Sequence, residues 1–260
     1  MFDSSEPAIR AENLGKLYEV SLHRGAGRLY DRLGSTVRRR AKTPRAHDQT
    51  IWAVRDVTFE VPHGQIMGVM GRNGSGKSTL MRIISRVTAP TTGRVEVRGR
   101  VGALLQVGAG FHPELTGRDN IALSGAILGM TPSEIKSQVR RIIDFSEIEP
   151  FIDMPVKYYS SGMYIRLAFA VSSHLDAEVM LIDEVLQVGD AAFQAKCHER
   201  IATIVGEGRT VLLVTHSTKS VRDMCHTAMV LDQGHVRYLG PGEDAVNFYE
   251  SEILGIKTNE

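Results

Sequence analysis

Two cysteines in 260 residues, Cys197 and Cys225, are too few for a disulfide framework. A reduced, cytoplasmic setting is therefore expected. No apolar run is long enough to span a bilayer, and Met1 to Arg10 holds no apolar stretch of the signal-peptide kind. Any work at a membrane would need spanning helices from another chain. Net charge is also nearly absent. With 31 Lys and Arg against 30 Asp and Glu, the balance is +1, which argues against a whole-molecule polyanion binder and hence against a nucleic-acid partner. There is no internal repeat and no low-complexity segment. The apolar fraction, 42%, is ordinary for a folded protein and argues against disorder. The length suits one large domain with a proper core, or two small ones.

The charge is unevenly spread. Between Ser21 and His47 stand Arg24, Arg28, Arg32, Arg38, Arg39, Arg40, Lys42 and Arg45, with Asp31 as the lone acid. This basic stretch, about 21–50, reads as an insertion. Ile9 to Val20 reads as a strand and turn. Val57, Phe59 and Val61 alternate, as in a half-buried strand. Ile66 to Met70, Val179 to Ile182 and Val211 to Val214 are short apolar runs, as in strands buried on both faces. Val95 to Val97 and Val101 to Leu105 are further strand candidates. Helices are expected over Lys77 to Val87, Ser160 to Leu175 and around Asp190 to Val205. From about 111 to 165 the spacing is helical, and Thr131-Pro132-Ser133-Glu134 has the form of a capped helix start. Strands alternating with helices predict an α/β domain with a mainly parallel sheet, into which a helical subdomain is inserted.

The strand ending at Met70 runs into Gly71-Arg72-Asn73-Gly74-Ser75-Gly76-Lys77-Ser78, with Thr79 next. This matches G-x-x-x-x-G-K-[ST] without substitution. Its glycines let backbone N–H groups close around phosphates, and the helix behind adds partial positive charge. Lys77 is suited to bridge the terminal phosphates of ATP, and the Ser78 hydroxyl to hold Mg²⁺. A plain Gly-rich turn before a helix would not require the full octet. A second signal lies at Val179-Met180-Leu181-Ile182-Asp183-Glu184, an apolar strand ending in two acids. Neighbours on a strand point opposite ways, so the two carboxylates have separate roles. Asp183 suits a Mg²⁺ contact and Glu184 suits a general base acting on water.

In these residues the chain resembles the nucleotide-binding subunits of ABC transporters, from Ile9 to about Tyr249. The resemblance implies a P-loop NTPase core, an antiparallel β subdomain and the helical insertion within one domain over 1–260. Gln106 falls at the family's Q-loop glutamine, a Mg²⁺ and water contact that senses the membrane subunit. Tyr159-Ser160-Ser161-Gly162-Met163 stands where the family has Leu-Ser-Gly-Gly-Gln. Ser160 and Gly162 match; Ser161 and Met163 depart, so no glutamine side-chain contact is implied there. Asp190 resembles the D-loop aspartate, His216 the switch histidine, and Tyr18 the aromatic that stacks on adenine. Alone, Tyr18 reads as a packed strand aromatic and His216 as a capped or core histidine. The family works as a head-to-tail homodimer, with ATP between the phosphate loop of one copy and the Ser160 segment of the other.

A narrower likeness runs through Leu104 to Asn120, Tyr158 to Tyr164 and Asp183 to Asp190. These resemble the ATPase subunits that export lipid-linked cell-envelope glycans, O-antigen and teichoic acid among them. The resemblance implies a separate membrane permease and a place at the cytoplasmic face of the inner membrane. Leu29, Leu33 and Val37 lie on one helical face, with Tyr30 beside it and the arginines around it. The 28–40 segment therefore reads either as a basic amphipathic helix touching anionic or lipid-linked glycan headgroups, or as a solvated charged loop. Gly34 costs such a helix about 1 kcal/mol. The sequence stops at Glu260, so an appended C-terminal glycan-binding domain is not expected in it. Other functions to weigh are transport of another lipid or drug, a soluble ABC ATPase of DNA repair or translation, and a regulator that binds nucleotide without turnover. The repair and translation enzymes usually carry long coiled coils or tandem ATPase halves, which this chain lacks. The intact Glu184 and His216 argue against the regulator.

Overall fold

A computed structural model of the protein describes residues 6–21, 48–104, 110–183 and 190–256. The 28–40 segment, Gln106 and Glu184 lie outside them. In chain order the elements are β1 (Ile9–Ser21), β2 (Asp48–Val61), β3 (Ile66–Met70), α1 (Lys77–Ile84), β4 (Thr92–Val97) and β5 (Val101–Leu104). Then come α2 (Gly117–Ile127), α3 (Pro132–Ser146), α4 (Ser161–Ser173), β6 (Val179–Asp183), α5 (Ala191–Gly206) and β7 (Thr210–Val214). The chain finishes with α6 (Thr218–Met224), β8 (Thr227–Asp232), β9 (His235–Pro241) and α7 (Gly242–Phe248).

The core sheet has the order β5-β6-β7-β3-β8-β9. Its first five strands are parallel and β9 is an antiparallel edge. A second sheet, β2-β1-β4, is antiparallel throughout. The expected α/β class with a mainly parallel sheet and an antiparallel β subdomain is therefore what the chain adopts.

The period-2 rule assigns the core strands' side chains to two faces. Met67 and Val69 of β3, Val179 and Leu181 of β6, and Leu212 and Val214 of β7 pack with Leu80, Met81, Ile83 and Ile84 of α1. The antiparallel sheet closes this face with Ile9, Leu14, Val57 and Phe59. The alternate residues, Met70, Met180, Ile182, Val211 and Leu213, face α5, α6 and α7. Both faces are dry, which is why these strands read as continuous apolar runs rather than alternating ones.

The helical insertion has its own small core of Ile121, Ile142, Ile143, Ile148, Ile152, Leu167, Ala170 and Val171. Thr131 caps α3 through its hydroxyl, as the sequence predicts, and its own N–H donates to the Glu134 carboxylate, which makes the pair reciprocal. α4 serves two cores. Leu167, Ala170 and Val171 pack in the insertion while Phe169 packs under the sheet. α4 ends at Ser173, within the helix expected over Ser160 to Leu175. Phe169 stacks on Phe145 at 5.9 Å and meets Phe193 edge-on at 6.3 Å.

Phe169→Ala is expected to lose about 3–5 kcal/mol of unfolding free energy, read from urea titrations followed by circular dichroism. Leu239→Ala, on the half-exposed face of β9, is expected to stay within about 0.5 kcal/mol.

Candidate functional site: a phosphate loop on an open helix end

Every helix from α2 to α6 starts with a side chain that accepts a backbone N–H: Thr116, Thr131, Ser160, Asp190 and Ser217 in turn. α1 does not. Its N-cap is Gly76, in the left-handed region at φ 109°, with no side-chain bond. The first N–H groups of a helix lack intrahelical acceptors and carry partial positive charge. Here no cap side chain accepts them. Gly71 (φ 151°), Gly74 (φ 81°) and Gly76 bend the loop back over them. At Gly76 an added Cβ would lie 2.3 Å from the Ala53 carbonyl oxygen.

Lys77 is buried to 7% exposure, and its Nζ donates to the Gly71 and Arg72 carbonyls at 2.7 and 3.1 Å. The ammonium is thus held at the mouth of its own loop. A cleft of about 380 Å³ opens there, lined by Ala53, Asn73, Gly74, Gly76, Lys77, Ser78, Thr79 and Asp183. Asp183 reaches it because residues 179, 181 and 183 share the α1 face of β6. The buried Ser75 hydroxyl has no hydrogen-bond partner among the described residues. Open helix N–H groups, a buried cation and one carboxylate with a hydroxyl beside it fit a nucleoside polyphosphate and a hard divalent cation.

The other predicted residues are distributed differently. His216 is exposed between β7 and α6. It lines a neighbouring cavity with Gly71, Arg72 and Asn73. Ser160 caps α4 by accepting the Met163 N–H at 3.2 Å, and both Ser160 and Ser161 are exposed. An added Cβ on Gly162 would approach only the Ser160 hydroxyl, at 3.9 Å. None of the three lines the phosphate-loop cleft of its own chain. Asp190 caps α5, its Oδ1 accepting the Phe193 N–H at 2.9 Å and its Oδ2 accepting from Arg166 at 2.6 Å. The Phe193 bond, with Arg166, holds this carboxyl below its usual range. Tyr18 is half-buried on β1, 5.4 Å from the Lys16 ammonium, and does not line the cleft. Its neighbouring strand contributes Ala53 instead.

Some participants had no sequence signal. Arg166 holds both Glu147 (2.8 Å) and Asp190, and Ala53 is an ordinary strand residue. Asn120, at the end of the Leu104 to Asn120 stretch, is structural. Fully buried, it accepts the His112 N–H and donates to the carbonyls of His112, Leu115 and Thr116. Tyr159 donates to the Phe151 carbonyl at 2.9 Å, and burial pushes its phenol up to about 12.

The sequence model of the family described as ABC transporter matches residues 54–187. An O-antigen export system ATP-binding protein of Myxococcus xanthus is 45% identical over 203 residues, 78% of this chain and 46% of that protein. One from Klebsiella pneumoniae is 38% identical over 95% of this chain and 99% of its own length. A teichoic acids export ATP-binding protein of Lactococcus lactis is 42% identical over 81% of this chain, which spans 45% of it. Among solved structures, the dimeric ATP-binding cassette MJ0796 bound to ADP and Pi matches with a TM-score of 0.70 and 21% identity. The match covers 90% of this chain and 98% of that one, and it shows the shared fold.

Gly76→Ala is expected to weaken binding of a fluorescent ATP analogue by roughly tenfold or more, given about 1–3 kcal/mol of backbone strain. Gly206→Ala, in α5 with open space around it, is expected to bind as the parent does.

Proposed function

The chain belongs to the ABC transporter family, and from this membership and the geometry of the cleft we propose that it is the ATP-hydrolysing subunit of a transporter exporting a lipid-linked cell-envelope polysaccharide. The observation that carries the ATP reading is the uncapped start of α1, with Lys77, Ser78 and Asp183 gathered around one cleft. The export reading is supported by relatives named for O-antigen and teichoic acid export. No helix among the described residues is long and apolar enough to cross a membrane. The chain on this reading sits at the cytoplasmic face of the inner membrane, held there by a separate permease.

In the proposed mechanism, backbone N–H groups of Gly74 to Thr79 and the Lys77 ammonium hold the β- and γ-phosphates. Mg²⁺ would be held by Ser78 and Asp183, with Gln106 assigned to the same ion, and would neutralise charge building on the phosphate oxygens. Glu184, which follows β6 in the sequence, is assigned the role of the general base that takes the proton of the attacking water. His216, which lines the neighbouring cavity with Gly71 to Asn73, is assigned to the γ-phosphate.

Ser160, exposed, and Gly162, half-buried, stand at the N-terminal end of α4 and do not line this chain's own cleft. They are placed to close the nucleotide of a second copy, where a helix N-terminus again meets phosphate. The basic 28–40 segment is assigned to the anionic headgroup of the lipid-linked glycan or to the surrounding leaflet.

Glu184→Gln is expected to cut ATP turnover by about a hundredfold or more while binding ATP and accumulating as a dimer, read by phosphate release and light scattering. Unchanged turnover would remove Glu184 from the role of base. Reversing the charges of Arg38, Arg39 and Arg40 is expected to spare basal hydrolysis and lower export or membrane association; if both survive, the segment is a plain solvated loop.

A further inference from the structure

The last described stretch of the chain returns to the phosphate loop. α7 runs without a break into a π-turn, Tyr249–Ile253. The Leu254 N–H donates to the Tyr249 carbonyl at 3.0 Å and the Ile256 N–H to the Glu250 carbonyl at 2.9 Å. π-turns are rare, and those that occur are frequent at functional sites. This one brings the buried Tyr249, with Leu254, to a cavity of about 490 Å³. The other lining residues of that cavity are Gly71, Arg72, Asn73 and His216.

The loop that carries His216 is short and tied at both ends. β7 stops at Val214 and α6 begins at Thr218. The Ser217 N–H donates to the Thr215 hydroxyl at 3.0 Å, and the Ser217 hydroxyl accepts the Ser220 N–H at 3.2 Å. The position of His216 therefore follows that of α6. In the last turn of α6, Arg222 Nη2 donates to Asn247 Oδ1 at 2.8 Å and to Glu250 Oε2 at 3.0 Å. Asn247 belongs to α7 and Glu250 to the π-turn.

We propose that Arg222, through Asn247 and Glu250, is a positioning residue that fixes the His216 loop against the C-terminal π-turn and so sets where the imidazole stands over Gly71 to Asn73. The inference rests on the reading of His216 as the residue that meets the γ-phosphate. The side chains of Arg222 and Glu250 are 38% and 20% exposed. A pair so placed adds little to global stability, and its effect is one of geometry.

The test compares Arg222→Ala, Arg222→Lys, His216→Ala and the Arg222→Ala/His216→Ala double variant in the full chain, by steady-state and single-turnover ATP hydrolysis. Arg222→Ala is expected to lower kcat about tenfold, the order of effect that small misplacements of a reacting group produce. KM for ATP and the thermal unfolding midpoint should stay unchanged, and Arg222→Lys should recover most of the rate. In the double variant the Arg222 change should lower the residual single-turnover rate no further, because its effect runs through His216. Full turnover in Arg222→Ala, or a further tenfold drop in the double variant, overturns the proposal. If His216→Ala itself turns over normally, the reading of His216 fails and takes the proposal with it. If His216→Ala is impaired and Arg222→Ala is not, that reading stands and the proposal alone is lost.

Discussion

The constraint on which this molecule turns is a helix end that no side chain caps. Five of its helices spend a Ser, Thr or Asp side chain to satisfy their first N–H groups. α1 has a glycine there and no side-chain cap. An open N-terminus is unfavourable unless water or a ligand completes it. The surrounding glycines leave no side chain in the way, and Lys77 is kept nearby by carbonyls of the loop itself. The site is built around a local deficit that polyphosphate relieves, and the rest of the fold holds that deficit in place.

The sheet does the holding. β3 is flanked by β7 and β8 at fixed register, and side-chain alternation is uniform across it. The same parity that puts Leu181 against α1 puts Asp183 into the cleft. A one-residue slip of β6 would exchange Asp183 for a neighbour on the opposite face. Two dry faces make such a slip costly, so hydrophobic packing fixes the position of a charged group.

Much of this was legible in the sequence. The three fully buried strands announced themselves as short apolar runs. The octet Gly71 to Ser78 carried its own chemistry, and Thr131-Pro132-Ser133-Glu134 marked a capped helix start that the structure has, with Thr131 as the cap and Pro132 the first helical residue. Other parts were not legible, for physical reasons. β9 is an edge strand whose residues alternate between exposed and half-buried, so His235, Arg237 and Tyr238 gave it no apolar signature. α6 and α7 have seven residues each, too short for a helical period to register. Tyr18 reads as an adenine platform only by analogy, and in this chain it stands beside Lys16, away from the cleft's lining. Long-range partners such as Arg166 with Asp190, or Arg222 with Glu250, exist only once topology has joined segments that the sequence keeps apart.

α4 has a mechanical consequence. Its 13 residues form a rod about 20 Å long. In its C-terminal half Phe169 lies against the rings of Phe145 and Phe193, and at its N-terminal end Ser160 is exposed. Leu167, Ala170 and Val171 bind it to the rest of the helical insertion, so the rod and the insertion act together as one lever. A rotation of a few degrees at the Phe169 end, hardly noticeable in the packing there, becomes a displacement of an ångström or more at the tip. The molecule can therefore keep a rigid core and still move its outermost surface, with little strain stored in either.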